Sequence, residues 1–127
     1  MIVIDTSALM ALLLAEPTAD QIATVLEAEE HVIISAGTLA EALIVAARRG
    51  LSEEMTMLLD GIGAKVETVS EQTSYAVAEA YAAWGKGVHP AGLNFGDCFA
   101  YVTAKAHNAP LLFVGNDFSK TNIASVI

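Results

Sequence analysis

The sequence predicts an α/β fold: a mainly parallel central sheet of four to five strands, layered between helices on both faces. Three observations carry this. Short apolar runs alternate with longer segments of helical periodicity. Glycine, proline and cap-forming residues punctuate the boundaries between them. The 127 residues, 54% of them hydrophobic, suffice for one core and one domain over 1–127. In order, "MIVID" (1–5) reads as a buried strand and 7–15 as a short helix. Pro17 opens a second helix to about Glu30, and "HVIIS" (31–35) is the second strand. A helix over 36–49 ends at Arg48-Arg49-Gly50, with cations in its last turn and glycine after it. Ser52 caps the next, with Glu53 and Glu54 in its first turn, and Gly61 and Gly63 stop it. "KVETV" (65–69) alternates like a strand, and Glu71–Trp84 is helical. "GKGVHPAG" (85–92) is a loop. Asn94 caps the following helix, whose apolar face is Phe95, Phe99, Val102 and Ala106. The strand "LLFV" (111–114), the turn "GNDF" (115–118) and an apolar stretch (123–127) complete the chain. Right-handed crossovers put all strand C-termini on one edge, where such folds bind ligands.

Composition narrows the function. A net charge of −9 argues against a broad nucleic-acid-binding face, because neutralising phosphates needs clustered Lys and Arg. It does not exclude a nuclease, since a metal held by carboxylates can carry the phosphate contact. One cysteine, Cys98, forbids an internal disulfide and fits a reducing cytoplasm. No basic segment precedes an apolar one, and Asp5 interrupts the first run, which argues against a signal peptide. The run "ALMALLLA" (8–15) is too short to cross a membrane.

The acids carry the functional signal. Of 15, five fall within 16–30 and six within 53–79, where they read as solvated faces. The other four stand alone in apolar segments: Asp5, Glu41, Asp97 and Asp117. Each has an ordinary explanation. Asp5 can cap the helix at 7–15, and Glu41 can pair with Arg48 or Arg49. Asp97 sits at a capping-box position, and Asp117 suits a turn. Placement offers a shared one. Asp5 ends the first strand, Glu41 lies about two turns into the helix after the second. Asp97 opens a helix, and Asp117 follows the fourth strand. Four converging carboxylates without a nearby Lys or Arg repel one another, and Mg²⁺ or Mn²⁺ relieves this. His31, His89 and His107 show no zinc-ligand spacing. Thr6 and Ser7 can orient a carboxylate or cap a helix, and Asn116 can orient Asp117 or form the turn. Lys86 and His89, in the loop before Asp97, can meet phosphate groups or simply be solvated.

"MIVIDTSAL", "ISAGTLAEA", "HPAGLNFGDCFAY" and "LLFVGNDF" resemble the PIN-domain ribonucleases, in particular the VapC toxins of bacterial type II toxin–antitoxin modules. The resemblance runs end to end and keeps the order of the four acidic motifs. It implies a PIN-like three-layer α/β/α fold and a four-acid site of Asp5, Glu41, Asp97 and Asp117. That site holds Mg²⁺, with Mn²⁺ as substitute, and cleaves RNA to a 5′-phosphate and a 3′-hydroxyl. Asp5, Asp97 and Asp117 are the expected metal ligands. Many relatives carry two adjacent acids where this chain has Asn116-Asp117. A VapB-like antitoxin and a homodimer are the implied partners. The expected antitoxin groove lies between "ALMALLLA" and "ALIVAA" (42–47), and an antitoxin arginine can enter the acidic site.

The best rival is a phospho-acceptor receiver domain, a non-catalytic Mg²⁺-binding signalling module of similar length. It needs an acceptor Asp at the end of its third strand, and "KVETVSEQ" has none. It also needs a Lys after its fifth strand, whereas Lys120 precedes the last. A haloacid-dehalogenase-type phosphatase needs a second Asp at position 7, which is Ser.

Overall fold

In a computed structural model, residues 1–127 are all described. The strands are β1 (Ile2–Ile4), β2 (Val32–Ser35), β3 (Lys65–Glu67) and β4 (Leu111–Leu112). The helices are α1 (Thr6–Leu13), α2 (Ala19–Ala28), α3 (Ala36–Arg48), α4 (Ser52–Ile62), α5 (Glu71–Trp84) and α6 (Phe95–His107). A 3₁₀ turn spans Phe118–Lys120. No helix is long and apolar enough to cross a membrane.

The sheet runs β3-β2-β1-β4 with every pair parallel. Val3 lies opposite both Ile33 and Leu111, so β1 is enclosed on both sides. Alternation then divides the core. Ile2, Ile4, Ile34 and Leu112 point to one face, against Leu9 of α1, Ile22 of α2, Ala42 of α3 and Met55 of α4. Val3, Ile33 and Leu111 point to the other, against Val77 of α5 and Cys98, Tyr101 and Ala104 of α6. Each fully buried Leu or Ile adds about 1.5–3 kcal/mol. These layers match the predicted α/β/α order.

Several local expectations shift. The second helix begins at Ala19, not Pro17, because Ala15 takes a left-handed φ of 49° and the chain turns before restarting. Leu51, not Ser52, occupies the cap of α4, and no side chain bonds there. β3 covers only Lys65–Glu67. It is an edge strand bonded on one side, and Val66 is 47% exposed. The stretch 123–127 makes one bridge, Ser125 to Leu111, because β4 is only two residues long. The buried face of α6 is Cys98, Ala100, Tyr101, Thr103 and Ala104. Phe95 and Ala106 are exposed instead, because α6 meets the sheet and α5 along the Cys98–Tyr101–Ala104 line. α1 packs on α3: Ala8, Leu9, Met10 and Ala11 are buried, Leu12, Leu13, Leu14 and Val45 are half-buried, and Leu43 and Ile44 are exposed. An open apolar groove of about 470 Å³ also lies between α3, α4 and β3, lined by Leu39, Leu43, Leu59 and Val66.

Candidate active site

Three of the four isolated acids sit where strands or loops enter helices. β1 passes directly into α1, so Asp5 becomes the N-cap, with extended φ/ψ of −98° and 158°. Its Oδ2 accepts from the Ser7 amide at 3.0 Å and the Ser7 hydroxyl at 2.7 Å. Oδ1 is buried and has no partner. Burial pushes the Asp5 carboxyl upward, the Ser7 bonds oppose it, and the Glu41 charge adds to the rise. The Ser7 hydroxyl also accepts from the Val114 amide at 3.0 Å. One serine thus ties Asp5 to the end of β4.

β2 likewise passes directly into α3, with Ser35 as its cap. This brings Glu41 back over the same edge. The Thr6 hydroxyl donates to Glu41 Oε1 at 2.7 Å. Thr6 and Ser7 therefore divide the work: Ser7 holds Asp5 and Thr6 holds Glu41. Glu41 forms no ion pair with Arg48 or Arg49; the ion pairs in the chain are Met1–Glu29 and His107–Glu67.

Asp97 is the third residue of α6 and completes a capping box. Its amide donates to Asn94 Oδ1 at 2.8 Å, and its Oδ2 accepts from the Asn94 amide at 3.0 Å. Even so, its carboxyl is raised to about 6. Burial is the largest cause, the Asn94 bond opposes it, and the charges of Asp5, Glu41 and Asp117 raise it further. Asp97 therefore lies in the electrostatic field of the other three acids. Asp117 is exposed and heads the 3₁₀ turn without a capping bond.

The remaining candidates differ in their freedom. Lys86 is exposed. His89 is engaged within its loop: Nδ1 accepts from the Ala91 amide at 3.0 Å, and the ring stands edge-on to Trp84 at 4.7 Å. Asn116 is exposed, and its carbonyl accepts from the Ser119 hydroxyl. Burial and the Asp97 charge push the Cys98 thiol up to about 11, so it is protonated at neutral pH. Sequence reasoning passed over Gly96, against which the Glu41 carboxylate packs. Its only signal was a glycine in the first turn of an otherwise good helix.

The donor set suits a hard divalent cation. All four groups are carboxylates, none is ion-paired, and Asp5 Oδ1 is a buried oxygen lacking any hydrogen. No three acids or histidines form a ready-made ligand cage, so the expected trio of Asp5, Asp97 and Asp117 is not gathered into one. Mg²⁺ commonly takes only one or two protein carboxylates, with water and substrate phosphate completing its sphere.

The PIN domain profile matches residues 2–124. Ribonuclease VapC30 of Mycobacterium tuberculosis is 42% identical over 127 residues, covering 98% of this chain and 97% of that protein. The chain belongs to the PIN-domain family of VapC ribonucleases. Its fold follows suit. The crystal structure of VapC20 from Mycobacterium tuberculosis, a sarcin-ricin loop cleaving toxin, superposes with a TM-score of 0.80 at 17% identity. That match covers 99% of this chain and 98% of VapC20. A toxin–antitoxin complex from Klebsiella pneumoniae superposes at 0.71 with 20% identity, covering 96% and 93%. A receiver-like signalling module is not favoured by this kinship.

Proposed function

We propose that this PIN-domain protein is a Mg²⁺-dependent endoribonuclease, with Mn²⁺ as substitute, and the toxin of a cytoplasmic toxin–antitoxin pair. The observation that carries the metal site is Asp5: a buried carboxylate with one orphaned oxygen, coupled to Glu41 and Asp97 and ion-paired with no cation. When bound, a divalent ion supplies charge shielding for the scissile phosphate and acidifies the attacking water. Asp5 and Asp97 are the primary ligands. Asp117 and Glu41 hold a second ion or orient the attacking water. Ser7 fixes the Asp5 rotamer, and Thr6 fixes Glu41. Lys86, exposed at the loop before α6, is placed to meet an RNA phosphate, whereas His89 serves its loop first. The products carry a 5′-phosphate and a 3′-hydroxyl.

An antitoxin partner is supported by the structural kinship to toxin–antitoxin complexes and by exposed apolar surface. Leu43 and Ile44 of α3 are 41% and 57% exposed beside the α3–α4 groove. We assign the apolar antitoxin segment to that groove, its basic side chain to Asp5, Asp97 or Asp117, and the toxin itself to a homodimer. Purified chain should cleave RNA with Mg²⁺ or Mn²⁺ and stop with EDTA, and Asp97→Asn should reduce the rate at least about 100-fold. Cleavage that survives chelation, or that survives Asp97→Asn undiminished, refutes the assignment.

A further inference from the structure

The reciprocal contacts between α3 and α6 single out Gly96. Gly37 of α3 receives a side chain of α6: a Cβ on Gly37 would stand 2.5 Å from the Phe99 ring. Gly96 of α6 receives a side chain of α3 in return. A Cβ there would overlap Glu41 Oε2 and stand 2.7 Å from Glu41 Cδ and 3.2 Å from Oε1. The far side of the Glu41 carboxylate is closed by Thr6, a buried residue whose hydroxyl donates at 2.7 Å. Glu41 is thus gripped between a hydroxyl and a helix backbone, one residue from Asp97.

We propose that Gly96 is a positioning residue: its missing side chain is the seat of the Glu41 carboxylate, and so fixes Glu41 beside Asp97. The consequence for cleavage rests on the nuclease reading above; the packing itself does not. Sliding α3 away would open the Phe99–Gly37 contact, so a methyl group at 96 is accommodated at the end of the flexible Glu41 side chain instead. The yielding part is Glu41, which must leave either its seat or its bond to Thr6.

The test uses the chain itself, Gly96→Ala, Glu41→Ala and the double variant. Alanine favours a helix over glycine, so an ordinary helical glycine predicts a higher melting temperature on substitution. Gly96→Ala should instead lower metal-free melting, measured in EDTA, when Glu41 is present. In the Glu41→Ala background the same change should raise it. Glu41→Asp, one methylene shorter, should recover part of the Gly96→Ala loss. In RNA cleavage, Gly96→Ala should reduce kcat up to about 100-fold with KM changed far less. It should add little once Glu41 is gone. The same melting shift, in sign and size, with and without Glu41 would overturn the proposal. A wild-type chain without metal-dependent cleavage would refute the nuclease reading instead, and the melting cycle would still decide the role of Gly96.

Discussion

Asp97→Asn should make the metal-free protein more stable at neutral pH, despite removing an ionisable group at a helix start. The capping box survives, since the asparagine oxygen can still accept from the Asn94 amide. What disappears is a charge held at a cost. The Asp97 carboxyl titrates near 6 in the fold against 3.8 unperturbed, so the folded state binds its proton more tightly than the unfolded state. Below pH 3.8 both states are protonated and the group costs nothing. The penalty grows as pH rises toward 6 and is complete above it. The rise from 3.8 to about 6 corresponds to about 3 kcal/mol as a ceiling, and solvent at the half-open rim reduces this to about 1–2 kcal/mol. For a domain of this size that is about 4–8 °C in melting temperature. Thermal melts of both proteins in EDTA between pH 4.5 and 8 test it. The difference, variant minus wild type, should open between pH 4.5 and 6.5 and then level off. Asp5 is raised in the same direction and is coupled to Asp97, so removing the Asp97 charge also eases the ionisation of Asp5 and widens the difference in the same sense. Curves that stay parallel across that range would refute the argument that burial, with the neighbouring acids, holds this charge at a cost. Mn²⁺ should then reverse the order. At one hundred times its Kd it adds about 2.7 kcal/mol to the wild type, and the variant should gain less than half as much.

Ser7→Ala should cost about 1–3 kcal/mol in urea denaturation, because it leaves the Val114 amide without its acceptor, and should slow cleavage roughly tenfold; unchanged stability and rate would remove Ser7 from the site. Cys98 should react with iodoacetamide at pH 7.5 only on unfolding, since it is buried with its thiol raised to about 11; rapid labelling of native protein would contradict this. Co-expression with the protein encoded immediately upstream, with a tag on one partner only, should yield an inactive complex that excess Mg²⁺ scarcely reactivates. Ile44→Asp, at an exposed position, should weaken that complex without unfolding the chain; recovery of this chain alone would refute the pairing.

Legibility in the sequence followed locality. The strand–helix order was readable because each apolar run is short and bounded, and because Asp5, Ser35 and Asn94 stand at caps. The helical face of α6 was half right: Phe99 and Val102 pack against the core, but Phe95 and Ala106 are exposed, because packing here chose Cys98, Ala100 and Ala104, which let the helix lie close to the sheet. The isolation of four acids was visible as charge pattern, and their mutual field required the fold. The partners of Thr6 were out of reach: Glu41 lies 35 positions away, and nothing local links them. Gly96 was hidden for the same reason, since a glycine acquires meaning only from what approaches it.

Asp97 shows why capping and catalysis were never alternatives at this position. A carboxylate at the third residue of a helix is drawn toward the amides of the first turn, which fixes its rotamer through the Asn94 bond. A metal ligand needs the same fixation. The capping bond occupies Oδ2, and Oδ1 has no partner among the protein's hydrogen bonds. Asp5 repeats the pattern at α1: Oδ2 is held by Ser7 and Oδ1 is unpartnered. In both, a helix cap consumes one oxygen to hold the side chain still and leaves the other without a partner, free for the proposed metal. Replacing Asn94 by alanine should therefore loosen Asp97 and weaken Mn²⁺ binding, measured by calorimetry, without removing any ligand. An affinity unchanged by Asn94→Ala would show that the cap does no more than begin the helix.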